Sequence, residues 1–247
     1  MKTFNHVGSY EFAELITETI NKKRHYVVGD KKYPSVTTVT GSLPSKVKGL
    51  NDWRKKVGVK EANKITTKAS AKGTAVHKLV EEYLNNQLFS QEKNKVTGVG
   101  ISHPLDRYSN SLNLGRQLAI ESFRSIQPAL DRYIDNIHSQ EVPLWSDHLK
   151  LAGRVDCVAE FDGRLSIIDF KTARKEKKRE WISDYFMQSC AYSIMWEERT
   201  DLPITQLVVI IAPTEKKPQI FIEHRDVWTK PLLKQIEYFY RRNLNGY

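Results

Sequence analysis

The dipeptide Asp162-Gly163 stands between two apolar runs, Leu151 to Phe161 and Arg164 to Lys171, and dictates how they meet. Asp-Gly favours a two-residue turn with positive φ at both positions, whose twist matches that of an antiparallel pair. With these two residues as the turn, facing partners have numbers that sum to 325, so Phe161 faces Arg164 and Asp156 faces Asp169. Directly opposed residues share a face with Cβ atoms about 4.5–5.5 Å apart, and like charges there repel. A chain that places two carboxylates in register either raises one pKa or holds a cation between them. Lys171 is two residues beyond Asp169, hence on the same face, and this register sets it against Arg154.

Two carboxylates beside an ammonium suit metal-assisted hydrolysis of a phosphodiester. Mg2+ binds through one or two carboxylates and leaves room for water and for phosphate oxygens. Such an ion lowers the pKa of water and offsets charge in the transition state. Lys171 would position the attacking water and meet the same developing charge. The competing arrangement is a surface salt-bridge cluster in which Asp156 and Asp169 pair with Lys171 and Arg154. The register, and the apolar residues Leu165, Ile167 and Ile168 on the Asp169 strand, favour a site.

The formal net charge is +10, and its distribution says more than its size. Between Leu43 and Gly73 nine cations (Lys46, Lys48, Arg54, Lys55, Lys56, Lys60, Lys64, Lys68, Lys72) face only Asp52 and Glu61, a net +7. Phe170 to Trp181 is a second block, with Lys171, Arg174, Lys175, Lys177, Lys178 and Arg179 against Glu176 and Glu180. Clustered Lys and Arg on both sides of the acidic pair favour a polyanion as partner. Neither block adjoins a helix with a broad apolar face, which argues against a membrane surface.

Periodicity gives the outline. Extended segments are expected at His25–Val28 and Ser35–Thr40 with a turn at Gly29-Asp30, then broken helix or loop from Ser42 to Ile65. Val76, Leu79, Val80, Tyr83 and Leu84 fall on one helix face, so a helix starts near Lys68. Asn85 to Gly100 is polar loop. A long helical stretch with Ala119, Phe123, Ile126, Leu130, Tyr133 and Ile137 follows, kinked or restarted at Pro128. Strands are expected at Glu141–Trp145, Leu151–Phe161, Arg164–Lys171, Leu207–Ala212 and Gln219–Ile222, and helices at Trp181–Trp196 and Trp228–Arg242. The whole, residues 1–247, reads as a single domain. It comprises a basic segment at 43–72, a helical insertion at 85–137 and a catalytic sheet core at 138–212.

Four motifs, in order, carry a resemblance. They are Gly73-Thr-Ala-Val-His77-Lys-Leu-Val-Glu81, Gly153-Arg-Val-Asp156, Leu165-Ser-Ile-Ile-Asp-Phe-Lys171 and Gln188-Ser-Cys-Ala-Tyr192. Together they resemble the RecB-like branch of the PD-(D/E)XK nucleases, with Val155 where the superfamily name has Pro. Pro34-Ser-Val-Thr-Thr-Val39 further resembles the mitochondrial genome maintenance exonuclease and its phage relatives, and the opening residues lack transit-peptide character, which points to a phage or bacterial relative. The resemblance implies an α/β, restriction-endonuclease-like core with a mixed central sheet flanked by helices, and a helical insertion. It implies Mg2+ or Mn2+ held by His77, Asp156, Asp169 and the backbone carbonyl of Phe170, with Lys171 completing the catalytic set. Glu81, Glu141, Gln188 and Tyr192 are supporting candidates, and Lys46, Lys48, Arg54, Lys55, Lys72, Arg174 and Lys175 candidate DNA contacts. Trp53 or Tyr192 would stack bases.

Two cysteines, Cys157 and Cys190, are too few for a four-thiolate iron–sulfur cluster or a disulfide framework. No stretch approaches the roughly 20 apolar residues of a membrane span, and a cytoplasmic location is expected. The function expected is a DNA exonuclease acting on single strands or ends. Its rivals are a structure-specific endonuclease, an inactive DNA-binding relative and an unrelated RNA-binding module, the last of which leaves the paired carboxylates unexplained.

Overall fold

The computed structural model describes residues 2–8, 10, 12–88, 114–214 and 216–244. A small antiparallel sheet opens the chain, with β1 (Thr17–Ile20), β2 (Lys23–Val28) and β3 (Lys31–Pro34) in that order. Three helices follow, α1 (Val36–Gly41), α2 (Pro44–Val57) and α3 (Val59–Leu84), and then α4 (Leu114–Tyr133). The main sheet runs β4 (Ile134–Ser146), β5 (Leu151–Phe161), β6 (Arg164–Ala173), β7 (Gln206–Pro213) and β8 (Gln219–His224), with α5 (Ser183–Thr200) joining β6 to β7 and α6 (Arg225–Leu244) closing the chain. Among the described strands of this sheet only β6 and β7 pair in parallel, which the helical crossover requires. The sheet is therefore mixed, as expected.

Helices cover both faces. On one, Val76, Val80 and Tyr83 of α3 and Phe123 and Leu130 of α4 pack on Cys157, Phe161, Ile168 and Ile210. On the other, α1, α5 and α6 bring Val39, Met187, Trp196, Leu232 and Phe239 onto Val158, Ile167 and Leu207. The central strands are buried on both sides, which explains their nearly unbroken apolar sequence.

The Asp162-Gly163 turn forms with φ of 52° and 74°, and the ladder from Phe161–Arg164 to Cys157–Ile168 has the expected register. It stops there. β5 stays with β4 while β6 follows β7 out to Ala173, so the two strands part at Asp156 and Asp169. The expected pairing of Lys171 with Arg154 does not form. Arg154 pairs with Pro143 in β4, and its guanidinium reaches the Glu141 carbonyl and the Glu14 carboxylate.

Other expectations also need correction. Ser35–Thr40 is not extended. The Ser35 side chain accepts from the Thr38 amide at 3.1 Å and caps α1, and this outweighs the strand preference of the β-branched residues behind it. The basic segment is two well-formed helices, with Pro44 at the start of α2 and the break confined to Gly58, so α3 begins nine residues before Lys68. Ile137 belongs to β4, not to the preceding helix. Bulges on either side of it shift the register, so Ile134 and Ile137 are both buried at a three-residue step that mimics a helix. Pro128 lies inside α4, which runs on past it. The expected loop beyond Leu88 falls outside the described residues.

Candidate active site

The parting of β5 and β6 opens a cleft where side chains from both helical layers meet. Asp156, at the end of the shared ladder, turns Oδ2 to the backbone N–H of Phe170 at 2.9 Å, so a carboxylate replaces the missing rung. His77 comes from α3 and holds Nδ1 3.6 Å from that same oxygen and 3.7 Å from Glu141 Oε1. Ligand atoms of His77, Glu141 and Asp156 all lie within 4.8 Å of one another.

Glu141 reaches this group by an unusual backbone. It has φ of +48° in the middle of β4, a region sparsely populated by residues other than glycine and costing about 1–3 kcal/mol. Such strain persists only where the surroundings impose it, and here it accompanies convergence on His77 and Asp156.

Asp169, 1% exposed, completes the cleft from β6. Its Oδ1 accepts from Lys171 Nζ at 2.6 Å and from Gln188 Nε2 at 2.8 Å. Its Oδ2 is buried and has no hydrogen-bond partner among the described residues. A buried carboxylate oxygen left unsatisfied is expensive, and a cation answers that need. Burial raises the Asp169 pKa above the usual carboxylate range, with Lys171 working against it. Burial disfavours the Lys171 ammonium, but Asp169 and Asp156 outweigh it and hold its pKa above the ordinary value. Burial likewise opposes the His77 imidazolium, yet Asp156 and Glu141 push its pKa up to about 9. The orphaned Asp169 oxygen beside the two carboxylates and imidazole of Glu141, Asp156 and His77 fits a hard divalent ion.

Two supporting residues hold the cleft together from α5. Gln188 fixes Asp169, and Tyr192, one turn on, is 2% exposed and lies against Gly153 so closely that a Cβ there would stand 2.8 Å from Tyr192 Cε1 and Oη. Burial pushes the Tyr192 hydroxyl well above its usual pKa. The glycine of one motif is thus the seat for the tyrosine of another. Glu81 lies elsewhere, its carboxylate 3.1 Å from Lys78 Nζ on its own helix. Phe170 meets the cluster through its backbone N–H.

Of the basic candidates, Lys48, Lys55, Arg174 and Lys175 are exposed and Arg54 is partly covered, donating to Asn63. Lys46 pairs with Asp184, and Lys72 donates to Thr214 at 2.9 Å. Tyr192 is too enclosed to stack a base, and Trp53 is half-buried. Sequence reasoning missed Trp181, 61% exposed just ahead of α5 with Lys178 Nζ 5.3 Å over its ring. It also missed Tyr185, whose ring lies 5.3 Å from Lys171 Nζ. The basic run around Trp181 was the available signal. Tyr185 gave none, because its meeting with Lys171 depends on how α5 docks.

A mixed sheet between two helical layers, with acids and a lysine gathered where central strands part, defines an α/β nuclease core. A family model for the PD-(D/E)XK nuclease superfamily matches residues 52–238, and the chain belongs to that superfamily. Its members are nucleases that use divalent metals. No curated protein matches the chain. Among solved structures, one from Eubacterium rectale described as a "putative exonuclease" is similar at 15% identity and a TM-score of 0.44. The alignment covers 70% of this chain and 66% of the other, just under two thirds of that protein's length.

Proposed function

We propose that the protein is a divalent-metal-dependent DNA exonuclease of the RecB-like branch, acting on single strands or ends. The observation that carries the metal site is the buried Asp169 Oδ2 without a partner among the described residues, beside the His77, Glu141 and Asp156 convergence. In this reading His77, Asp156, Asp169 and the Phe170 carbonyl hold Mg2+ or Mn2+, with Glu141 as a further ligand. The ion would supply Lewis acidity toward the phosphate and toward water.

The chain's own groups do the rest. Lys171 is held charged beside Asp169 and offers its ammonium to the negative charge that builds on the phosphate oxygens. Gln188 fixes Asp169, so the carboxylate needs no reorganisation as charge moves. Lys46, Lys48, Arg54 and Lys55 of α2, Lys72 on α3, and Arg174 and Lys175 beyond β6 contact the backbone, and Trp181 offers a stacking surface at the start of α5. The chain functions as one nuclease domain whose helical insertion ends at Tyr133, where α4 gives way to β4, and a phage or bacterial cytoplasm is the setting this reading implies. Among the described residues no helix is long and apolar enough to cross a membrane.

Digestion of end-labelled linear single-stranded DNA with Mg2+ or Mn2+, beside a circular control and Lys171→Ala, tests the proposal. Loss of the linear strand alone, abolished by EDTA and by the substitution, is expected. Cutting of the circle would make the enzyme an endonuclease. Binding without cleavage by the wild-type chain would make it a DNA-binding relative and overturn the chemistry.

A further inference from the structure

α2 fully buries none of its side chains. Across from it stands α6. A hollow of about 500 Å³ lies where the start of α2 meets α5 and α6, one of about 370 Å³ lies along α6 itself, one of about 350 Å³ lies between α2 and α6, and all three touch Tyr238. The first and third also share Pro44, the first and second share Lys234, and the second and third share Arg242. They are therefore one groove.

Its walls are mostly cationic, although Asp52 and Glu237 also line it. Lys48 and Lys55 come from α2, and Lys230, Lys234 and Arg242 from α6, all exposed. The Arg242 guanidinium donates to the Tyr238 hydroxyl at 3.1 Å, which leaves the half-buried tyrosine ring on the groove wall. Arg241 is matched by Glu237, whereas among the described residues the four lysines have no carboxylate within 4.0 Å.

The groove also leads to the chemistry. Pro44 and Ser183 line its first hollow. Two residues beyond Pro44, Lys46 pairs with Asp184, and the neighbouring Tyr185 ring lies 5.9 Å from Lys46 Nζ and 5.3 Å from Lys171 Nζ.

We infer that the α2–α6 groove is a binding site for the single-stranded DNA backbone outside the metal cleft, with α6 supplying a wall that the basic segment alone does not. This rests on DNA being the substrate, and commits to a single strand because a basic groove with an aromatic ring on its wall tracks phosphates and bases in turn.

The test is fluorescence anisotropy of a labelled single strand in EDTA, where no cleavage intervenes, over a range of salt. Lys230→Glu/Lys234→Glu should weaken binding at least about tenfold and flatten the slope of log K against log salt by at least about 1.4, two contacts at roughly 0.7 each. Lys230→Arg/Lys234→Arg should bind as the wild type does, and both proteins should melt with it. Unchanged affinity and slope would overturn the inference, as would equal loss in the arginine variant. Loss of binding to phosphatidylserine vesicles with DNA binding intact would also overturn it and make the groove a membrane surface. If the wild type cuts no DNA with either metal, the nuclease reading falls while the anisotropy result still stands or falls by itself.

Discussion

At the scale of the residue, His77 links the cleft to pH. Its imidazole has a pKa of about 9 in the metal-free protein because Asp156 and Glu141 outweigh burial. That is above the roughly 6.5 of an unfolded chain, so the charged ring stabilises the metal-free fold fully below the unfolded value. This contribution is lost as pH rises through about 9. A metal must displace the same proton. Metal affinity should therefore climb with pH up to about 9, about tenfold per unit for a single proton. Melting followed in EDTA and in Mn2+ should show metal-induced stabilisation that grows from acid toward pH 9, whereas a flat difference would remove His77 from the ligand set. The hairpin turn and the two-residue strand period made Asp156, Asp169 and Lys171 legible as neighbours. Glu141 was not legible as a partner with equal clarity, because its approach depends on a positive φ that no local sequence signal announces. Tyr192 was misjudged as a base-stacking residue for the opposite reason. Its place on α5 could be read, but its enclosure depends on the glycine of a distant strand.

At the scale of the element, β5 and α5 are keyed to each other through Gly153. The strand can approach the Tyr192 ring only because no Cβ is present, since one would stand 2.8 Å from the ring and hydroxyl. Gly153→Ala should cost about 1–3 kcal/mol by overpacking, read as a lower urea midpoint. Gln188 sits one turn before Tyr192 and holds Asp169, so displacement of the helix should also lower kcat. Adding Tyr192→Leu should recover stability but not full activity, and a Gly153→Ala enzyme with wild-type stability would show that the contact is slack. Elements with a single dominant signal were readable: the β5–β6 hairpin from its turn, the α3 face from Val76 to Leu84. Those in which two tendencies compete were not. The Ser35 cap defeated the β-branched run of α1, and the bulges of β4 lent Ile134 and Ile137 a helical spacing.

At the scale of the molecule, the sheet separates two cores that share only its strands, and one cysteine reports on each. Cys157 faces the α3–α4 layer and Cys190 lies in the layer of α5 and α6. Both are fully buried, and burial raises both thiol pKa values, that of Cys190 to about 11. A thiolate reagent should find neither in the native protein. If the chain is one cooperative unit, the layers cannot come off separately, because either loss would expose the apolar strands at the centre. Thiol labelling across a urea series should then give no reactive cysteine before the transition, two after it, and a common midpoint for Cys157→Ser and Cys190→Ser once each is referred to its own stability. Separate midpoints within one protein would mean that the metal cleft, which draws His77 from one layer and Gln188 from the other, sits on a boundary between two folding units.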